Sequence, residues 1–156
     1  MERNRIKQTI LEYLSDFVAL IYPQICAGCG KSLYKAEGII CTLCRYQLPQ
    51  TNFHLEADNL VSRAFWGRTN ITAATAFYYF QKKSKVQQLV HALKYRNRTE
   101  VGTAVGEWMG AALIQSHNFN GIDIIVPVPL HPRRLRTRGY NQSDFIAAGI
   151  SKAIKA

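Results

Sequence analysis

The stretch that decides the interpretation of this chain runs from residue 126 to residue 142 and reads VPVPLHPRRLRTRGYNQ. A largely apolar run at 122–126 leads into it and stops at Pro127, because proline cannot donate to a central sheet. Gly139 permits a sharp turn into a predicted helix that starts near Asn141. Between these two points lie four arginines: Arg133, Arg134, Arg136 and Arg138.

A strand, an arginine-rich loop and a helix N-terminus, in that order, favour an oxyanion site. Open α/β sheets bind ligands beyond the carboxyl ends of their strands, and helix N-termini offer free N–H groups to phosphate. The fork of arginine suits bidentate phosphate contacts. The alternative is a solvated basic loop, since loops are usually exposed. We predict that the four arginines and Asn141 bind phosphate or pyrophosphate.

The composition points to anionic partners. The chain has 156 residues, a hydrophobic content of 47% and a formal net charge of +10. The hydrophobic content excludes wholesale disorder, and the length suits one ordinary domain, or a small module plus part of one. The charge favours nucleic acid, nucleotide phosphates or an acidic surface without choosing among them.

Four cysteines form the second strong signal, with the spacing C-x2-C-x11-C-x2-C. They are Cys26, Cys29, Cys41 and Cys44. Two short knuckles that supply two thiolates each are typical of a structural, tetrahedral Zn²⁺ site. Gly28 and Gly30 fit the tight turn around such a knuckle. We predict a four-cysteine zinc module at 23–50.

Two other readings of the cysteines remain open. Disulfides are disfavoured in a reducing cytoplasm, where we expect this protein to reside. A thioredoxin-like pair needs a preceding strand and a following helix, and it does not account for two copies of the motif. A thiol oxidoreductase is therefore the third function hypothesis, behind the two developed below.

The N-terminus predicts an amphipathic helix over 1–22. Ile6, Ile10, Leu14, Phe17, Val18 and Ile21 fall on one helical face. Such stripes usually pack against a neighbouring domain. Glu12 and Asp16 interrupt the apolar stretch, so neither a secretory signal nor a membrane span is predicted.

The remaining chain predicts an α/β fold. Residues 51–70 read as a linker, and aromatic-rich 73–80 and apolar 122–128 read as strands. Between the two strands, one helix carries Val86, Leu89, Val90 and Leu93 on its apolar face. A second helix starts near Glu100, and a last one starts at Asn141.

The cysteine knuckles, HALKYRNR at 91–98 and DIIVPVPLHPRRLRTRGYNQ at 123–142 together resemble the ComF family. That family is an amidophosphoribosyltransferase-like group associated with competence for DNA uptake. The resemblance implies a zinc module joined to a type I phosphoribosyltransferase-like, Rossmann-like domain, of which 71–156 is the N-terminal part. It also implies phosphoribosyl pyrophosphate (PRPP) as ligand, with Mg²⁺ in an intact homologue, and it adds Lys94 and Arg96 to the candidate phosphate-binding residues.

The chain departs from the family pattern in one respect. Type I phosphoribosyltransferases resemble one another in an adjacent acidic pair followed by a Thr-Gly-type turn, and this chain contains neither. We therefore expect the front part of a longer, ComF-like protein and no transferase turnover by this chain alone. No catalytic residue is assigned. We also expect marginal stability or dependence on a partner, because a sheet of two strands leaves open edges.

Two main functions follow. The first is a PRPP- or phosphate-binding protein that supports DNA uptake, with a phosphorylated small molecule as ligand. The second is a non-enzymatic, zinc-containing nucleic-acid-binding protein that uses its arginine-rich loop on phosphates. Single-stranded DNA, DNA-uptake or recombination proteins and a second copy of the chain are the candidate partners.

Overall fold

The structure is a computed structural model that describes residue 13 and residues 16–156. Its helices in chain order are α1 at 16–21, α2 (Thr42–Tyr46), α3 (Leu60–Arg63), α4 (Lys85–Tyr95), α5 (Thr99–Leu113), α6 (Pro132–Arg138) and α7 (Gln142–Ile154). Short 3-10 turns lie at Phe53–Leu55 and His117–Phe119. The described part of the chain is therefore mainly helical.

The end of the predicted N-terminal helix is helical at 16–21. Ile6, Ile10 and Leu14 of its predicted apolar stripe lie outside the described residues. Phe17, Val18 and Ile21 are exposed, so the described part of the stripe does not pack on the molecule. An ion pair of 2.7 Å joins Asp16 to Lys35, which lies in the four-cysteine segment at 23–50, called the cysteine loop below. Within residue 13 and residues 16–156, no helix has both the length and the apolar character that a membrane crossing requires.

Helices α4 and α5 form where the apolar periodicity predicts them. Ser84 caps α4 by accepting from the Gln87 N–H, and the predicted apolar face is buried at Val86, Leu89 and Leu93. Helix α5 buries Val101 almost completely. Because α5 starts four residues after α4 ends, the chain turns sharply at 96–98.

Helices α5 and α7 pack against each other through glycines. A Cβ atom added at Gly106 or Gly149 would overlap the backbone of the facing helix, and one added at Gly110 would lie 2.6 Å from Ala153 Cβ. Small residues at these positions let two helix backbones approach more closely than bulkier side chains would allow. This close contact fixes the position of α7, whose N-cap residue is Asn141.

The cysteine loop shares a hydrophobic core with α4 and α5. The buried members of this core are Cys26, Ala27, Ile40, Cys44, Leu48, Val86, Leu89, Ala92 and Val101, with Trp108 packed at its edge. Arg98 also donates to the Ile25 carbonyl at 2.8 Å, which ties the first knuckle to the α4–α5 turn. The knuckles are thus fixed against α4, which carries Lys94, and against the turn that begins at Arg96.

The segment 73–80 is extended but forms no regular strand, contrary to the prediction. Among residue 13 and residues 16–156, it pairs only with residues 49–51, through an isolated antiparallel bridge between Gln50 and Tyr78. The flanking backbone bonds run from Thr51 N–H to Phe77 O and from Tyr79 N–H to Pro49 O, at 3.2 and 2.9 Å. A single short pairing does not make a sheet.

The prediction of a strand at 122–128 is also wrong for the described chain. The segment is extended, and its side chains alternate, with Ile124, Val126 and Val128 exposed by 77%, 81% and 75%. An extended segment becomes a β-strand only where a neighbouring segment forms backbone hydrogen bonds with it. The described residues offer no such neighbour, so the expected Rossmann-like α/β sheet does not form among them.

Candidate functional site

The four cysteines converge on one point. Their sulfur atoms all lie within 4.8 Å of one another, and Cys29 Sγ lies 3.9 Å from Cys41 Sγ. Tetrahedral zinc with Zn–S bonds of about 2.3 Å requires sulfur separations of about 3.8 Å. No disulfide links these cysteines. The cluster can therefore hold a structural metal ion such as zinc, and the sequence prediction of a four-thiolate set fits this geometry.

Backbone N–H groups orient the sulfur atoms. Gly28 N–H and Cys41 N–H donate to Cys26 Sγ at 3.3 and 3.2 Å. Cys41 in turn accepts from Cys44 N–H at 3.4 Å and thereby caps α2. A Cβ atom at Gly28 would lie 3.2 Å from Cys44 Sγ, so a larger residue would crowd the sulfur cluster. The first knuckle closes at Gly30, whose φ of +73° favours glycine.

The thiols differ in acidity. Burial opposes ionisation of Cys26, but N–H groups of Cys41, Gly28 and Cys29 donate to its sulfur and lower its pKa to about 6. Burial raises the pKa of Cys44 to about 12, and hydrogen bonds in which its S–H donates to the Cys41 and Cys29 sulfurs act in the same direction. A cation among the four sulfurs would offset the cost of charging the buried Cys44.

The second site is a cleft of about 610 Å³, the arginine cleft, between the end of α4 and helix α6. Four predicted phosphate-binding residues line it: Lys94, Arg133, Arg134 and Arg138. Four further lining residues were not predicted as ligands: Tyr95, Asn97, Thr137 and Tyr140. All four lie within HALKYRNR at 91–98 or DIIVPVPLHPRRLRTRGYNQ at 123–142, so their closeness in sequence to the predicted ligands could have indicated them.

The arginine-rich segment is a helix and not the predicted loop. His131 Nδ1 accepts from Arg133 N–H at 3.3 Å and caps α6, and Pro132 occupies its first turn. Proline is favoured there because its fixed φ suits a helix start and its missing N–H has no helical partner. Gly139, with a φ of +80°, ends this helix and forms the sharp turn that was predicted before Asn141. The helix is what brings Arg133, Arg134 and Arg138 to one cleft.

Aromatic and polar contacts position the cleft walls. The Arg138 guanidinium lies 5.3 Å from the centre of the Tyr95 ring and donates to Gln142 Oε1 at 2.8 Å. Tyr140 donates its hydroxyl to the Leu93 carbonyl, which joins the α6–α7 turn to α4. Tyr95 is 65% exposed and offers an aromatic face at the cleft.

The arginine cleft is electropositive. Its described lining includes four cations and no carboxylate. Within the described part of the chain, the ion pairs involve Lys35, Arg63, Arg98 and Lys152, so none of the four cleft cations is neutralised by an acidic side chain. Cations held near one another without counter-charges favour an anionic ligand.

Three predicted phosphate-binding residues lie elsewhere. Arg96 lines a different cleft beside the cysteine loop, and Arg136 is exposed on α6 without lining the arginine cleft. Asn141 is 9% exposed and caps α7 by accepting from Ser143 N–H. Its side-chain amide donates to Val128 O and to Asp144 Oδ1, at 3.1 and 2.7 Å. The predicted start of a helix near Asn141 is confirmed, and these contacts occupy the Asn141 side chain.

The chain is similar to bacterial proteins named DNA utilization protein YhgH. It is 28% identical to that of Escherichia coli strain K12 and 27% identical to that of Shigella flexneri, each over 139 residues, or 86% of the chain. The protein of Salmonella typhi is 38% identical over 61 residues, which is 37% of the chain and 27% of that relative. The 139-residue matches cover 57% of the relatives' length.

No protein-family model matches the chain, and no solved structure matches it. The name of these relatives associates those proteins with the use of DNA.

Proposed function

We propose that the chain binds the pyrophosphate group of a phosphorylated small molecule in the arginine cleft, as part of a cytoplasmic protein that acts in DNA uptake or utilization. The observation that carries this proposal is the convergence of Lys94, Arg133, Arg134 and Arg138 on one cleft without an acidic neighbour. The names of the relatives support the DNA association. The ComF resemblance supports PRPP as the ligand.

The cleft has the size and donors for such a ligand. A volume of about 610 Å³ lies within the range of about 300–1,000 Å³ that is typical of small-molecule sites. Arg133 and Arg134 are consecutive on α6, and Lys94 supplies a charge from α4. Arginine forks contact two phosphate oxygens at once, and charge-assisted hydrogen bonds are roughly twice as strong as neutral ones. Tyr95 offers a face for the sugar or its substituent.

The described lining does not supply a Mg²⁺ site by itself. Protein-bound Mg²⁺ uses one or two carboxylates together with substrate phosphates, and the cleft lining contains no carboxylate. The chain's own contribution is cationic: it holds phosphate oxygens and favours negative charge on them. We propose binding without turnover for this chain. Formation of pyrophosphate from PRPP and any base or amine by the purified chain would contradict this.

We propose a structural role for the four-cysteine module at 23–50. A four-thiolate zinc site leaves no open coordination position for a substrate. The module packs into the core beneath α4, and α4 supplies Lys94 and Tyr95 to the cleft. Zinc would thus hold the cysteine loop in place, and residues 71–156 would carry the ligand-binding part.

Nucleic-acid binding is the second candidate function. It is favoured by the net charge of +10 and by the exposed ring of Tyr95 among the cleft cations, since bases stack on aromatic faces while phosphates contact cations. Binding of this kind weakens steeply as salt rises, because the ligand releases counterions.

Calorimetric titration of the zinc-loaded chain with PRPP and with a single-stranded oligonucleotide separates the two candidates. We expect PRPP to bind, and the variant carrying both Arg133→Gln and Arg134→Gln to bind it at least tenfold more weakly. The variant carrying both Lys82→Gln and Arg68→Gln, at two exposed residues outside the cleft, is the charge-matched control. Salt-sensitive oligonucleotide binding without PRPP binding would contradict the first proposal and favour the second. Binding of PRPP unaffected by the double variant would place the ligand elsewhere.

A further inference from the structure

A second cationic cleft, the knuckle cleft, lies between the cysteine loop and α4. It has a volume of about 490 Å³. One wall is the loop at 27–30, and the other carries Lys83, Gln87, His91 and Arg96. Its described lining contains no carboxylate, and neither Lys83 nor Arg96 is in an ion pair with a carboxylate within the described chain. The lining also includes Cys29 of the four-cysteine cluster, so a bound zinc–thiolate centre would bring negative charge to one wall of the cleft.

The knuckle cleft and the arginine cleft have no lining residue in common. Tyr95 lines the arginine cleft, and the next residue, Arg96, lines the knuckle cleft. The two clefts approach each other at the rings of His91 and Tyr95, whose centroids are 4.8 Å apart. The side chains that would bind a ligand in the knuckle cleft are therefore different from those of the arginine cleft.

A hydrogen bond joins two residues of the knuckle-cleft wall, Lys83 and Gln87. Lys83 adopts a φ of +62°, and its N–H donates to Gln87 Oε1 at 2.5 Å. Because that oxygen is occupied, the amide nitrogen of Gln87 is the group left to donate. Gln87 and His91 are four residues apart on α4 and so lie on the same face of the helix.

The two walls of the cleft are fixed to each other. Cys26 and Ala27 share a buried core with Leu89 and Ala92 of α4. The hydrogen bond from Arg98 to Ile25 O closes the loop against the α4–α5 turn. A site whose walls are fixed before binding loses less conformational entropy when the ligand binds.

We propose that the knuckle cleft is a second phosphate-binding site, in which Lys83 and Arg96 contact the phosphate oxygens and Gln87 donates a hydrogen bond. The phosphate belongs either to a free phosphorylated molecule or to the backbone of a nucleic acid, since both present the same oxygens. The site goes beyond the proposed function, because it needs no ligand in the arginine cleft.

Amide-resolved NMR titration of the zinc-loaded full chain with inorganic pyrophosphate tests the proposal. We expect the amide signals of Gly30 and Gln88 to move saturably. In the variant carrying both Lys83→Gln and Arg96→Gln, the dissociation constant obtained from these signals should rise at least tenfold, because each substitution removes a charge-assisted hydrogen bond. Lys82→Gln, the neighbouring exposed lysine outside the lining, should leave it unchanged. A dispersed spectrum of each variant establishes that it is folded.

The outcomes separate this proposal from the function proposed above. Movement confined to amides of the arginine cleft, such as Thr137, would overturn the second site and leave the first intact. A Gly30 and Gln88 response unaffected by the double variant would overturn it as well. Movement at Gly30 and Gln88 without movement at Thr137 would support the knuckle cleft and count against the arginine cleft.

A parallel titration with a phosphodiester-linked thymidine dinucleotide without terminal phosphates distinguishes the two sources. Stronger binding of the dinucleotide than of pyrophosphate supports a nucleic-acid backbone, and the reverse supports a free phosphorylated molecule. Absence of a Gly30 and Gln88 response to both probes would overturn the site.

Discussion

At the scale of single residues, Asn141 shows how one side chain can fit two roles in a sequence. Its position after Gly139 fits both a phosphate ligand and a helix cap. In the structure its side chain caps α7 and bonds to Val128 O and Asp144. These contacts occupy both its donor and its acceptor groups.

We therefore expect Asn141→Ala to lower the free energy of unfolding by about 1–2 kcal/mol, as loss of an N-cap does. Urea denaturation measures this, and Asn70→Ala, an exposed asparagine, is the control. Unchanged stability together with a large loss of pyrophosphate affinity would show that Asn141 is mainly a ligand.

Tyr78 gives a pH-dependent prediction. Burial raises the pKa of its hydroxyl to about 12 from a reference value of 10.0. Because the folded chain holds the proton more tightly than the unfolded chain, this contribution to stability is complete below pH 10 and is lost as pH rises towards 12. It amounts to about 1 kcal/mol at pH 11.

Tyr78→Phe should accordingly flatten the fall in unfolding free energy between pH 10 and pH 12. Tyr46→Phe is the control, because Tyr46 is 89% exposed. Parallel pH profiles of the wild type and Tyr78→Phe would rule out Tyr78 as the source.

At the scale of elements, helices were predictable and strands were not. The stripes of α4 and α5 and the cap of α7 depend on residues a few positions apart, so local sequence suffices. A strand at 122–128 depends on a neighbour that is distant in sequence, which local periodicity does not supply. Helix α6 was missed for a different reason, because its four arginines indicated a solvated loop, although His131, Pro132 and Gly139 at its two ends are local helix signals.

The contact between α5 and α7 leads to a packing prediction. Gly106→Ala or Gly149→Ala should destabilise the fold by roughly 1–3 kcal/mol, because the added methyl group meets backbone of the facing helix. Gly38→Ala is the matched control, since a Cβ there has nothing within 4 Å and its φ is not positive. A destabilisation by Gly38→Ala equal to that at Gly106 would argue against the close helix contact.

The exposed apolar stripe of Ile124, Val126 and Val128 predicts association. Apolar side chains on an unpaired extended segment favour pairing with another chain. We expect sedimentation velocity to show concentration-dependent association that Val126→Lys reduces, with Leu60→Lys as the control at another exposed apolar residue. A monodisperse wild-type monomer at high concentration would contradict this.

At the scale of the whole molecule, we expect the cysteine loop, α4 and α5 to unfold cooperatively, because they share one hydrophobic core. The cysteine spacing predicted the metal-ligand set, but it did not indicate that the loop shares buried residues with the helices. Nor did it show that Arg96 lies beside that loop while Lys94 faces the arginine cleft. Such placements depend on the turn at 96–98, where Asn97 adopts a left-handed conformation.

Metal removal should therefore affect more than the knuckles. We expect a chelator to lower the thermal midpoint and to change the fluorescence of Trp108, which packs at the edge of the shared core. Cys29→Ser should act in the same direction. An unchanged midpoint after verified removal of zinc would contradict a structural role for the metal.

A pyrophosphate titration that follows the amides of Asn97 and Thr137 tests whether the arginine cleft binds phosphate. These residues line the arginine cleft from two different parts of the chain. We predict that both signals move with a single dissociation constant, and that Lys94→Gln and Arg134→Gln each weaken the binding about tenfold. Signals that do not move, or that keep the wild-type affinity in both variants, would contradict a phosphate site in this cleft.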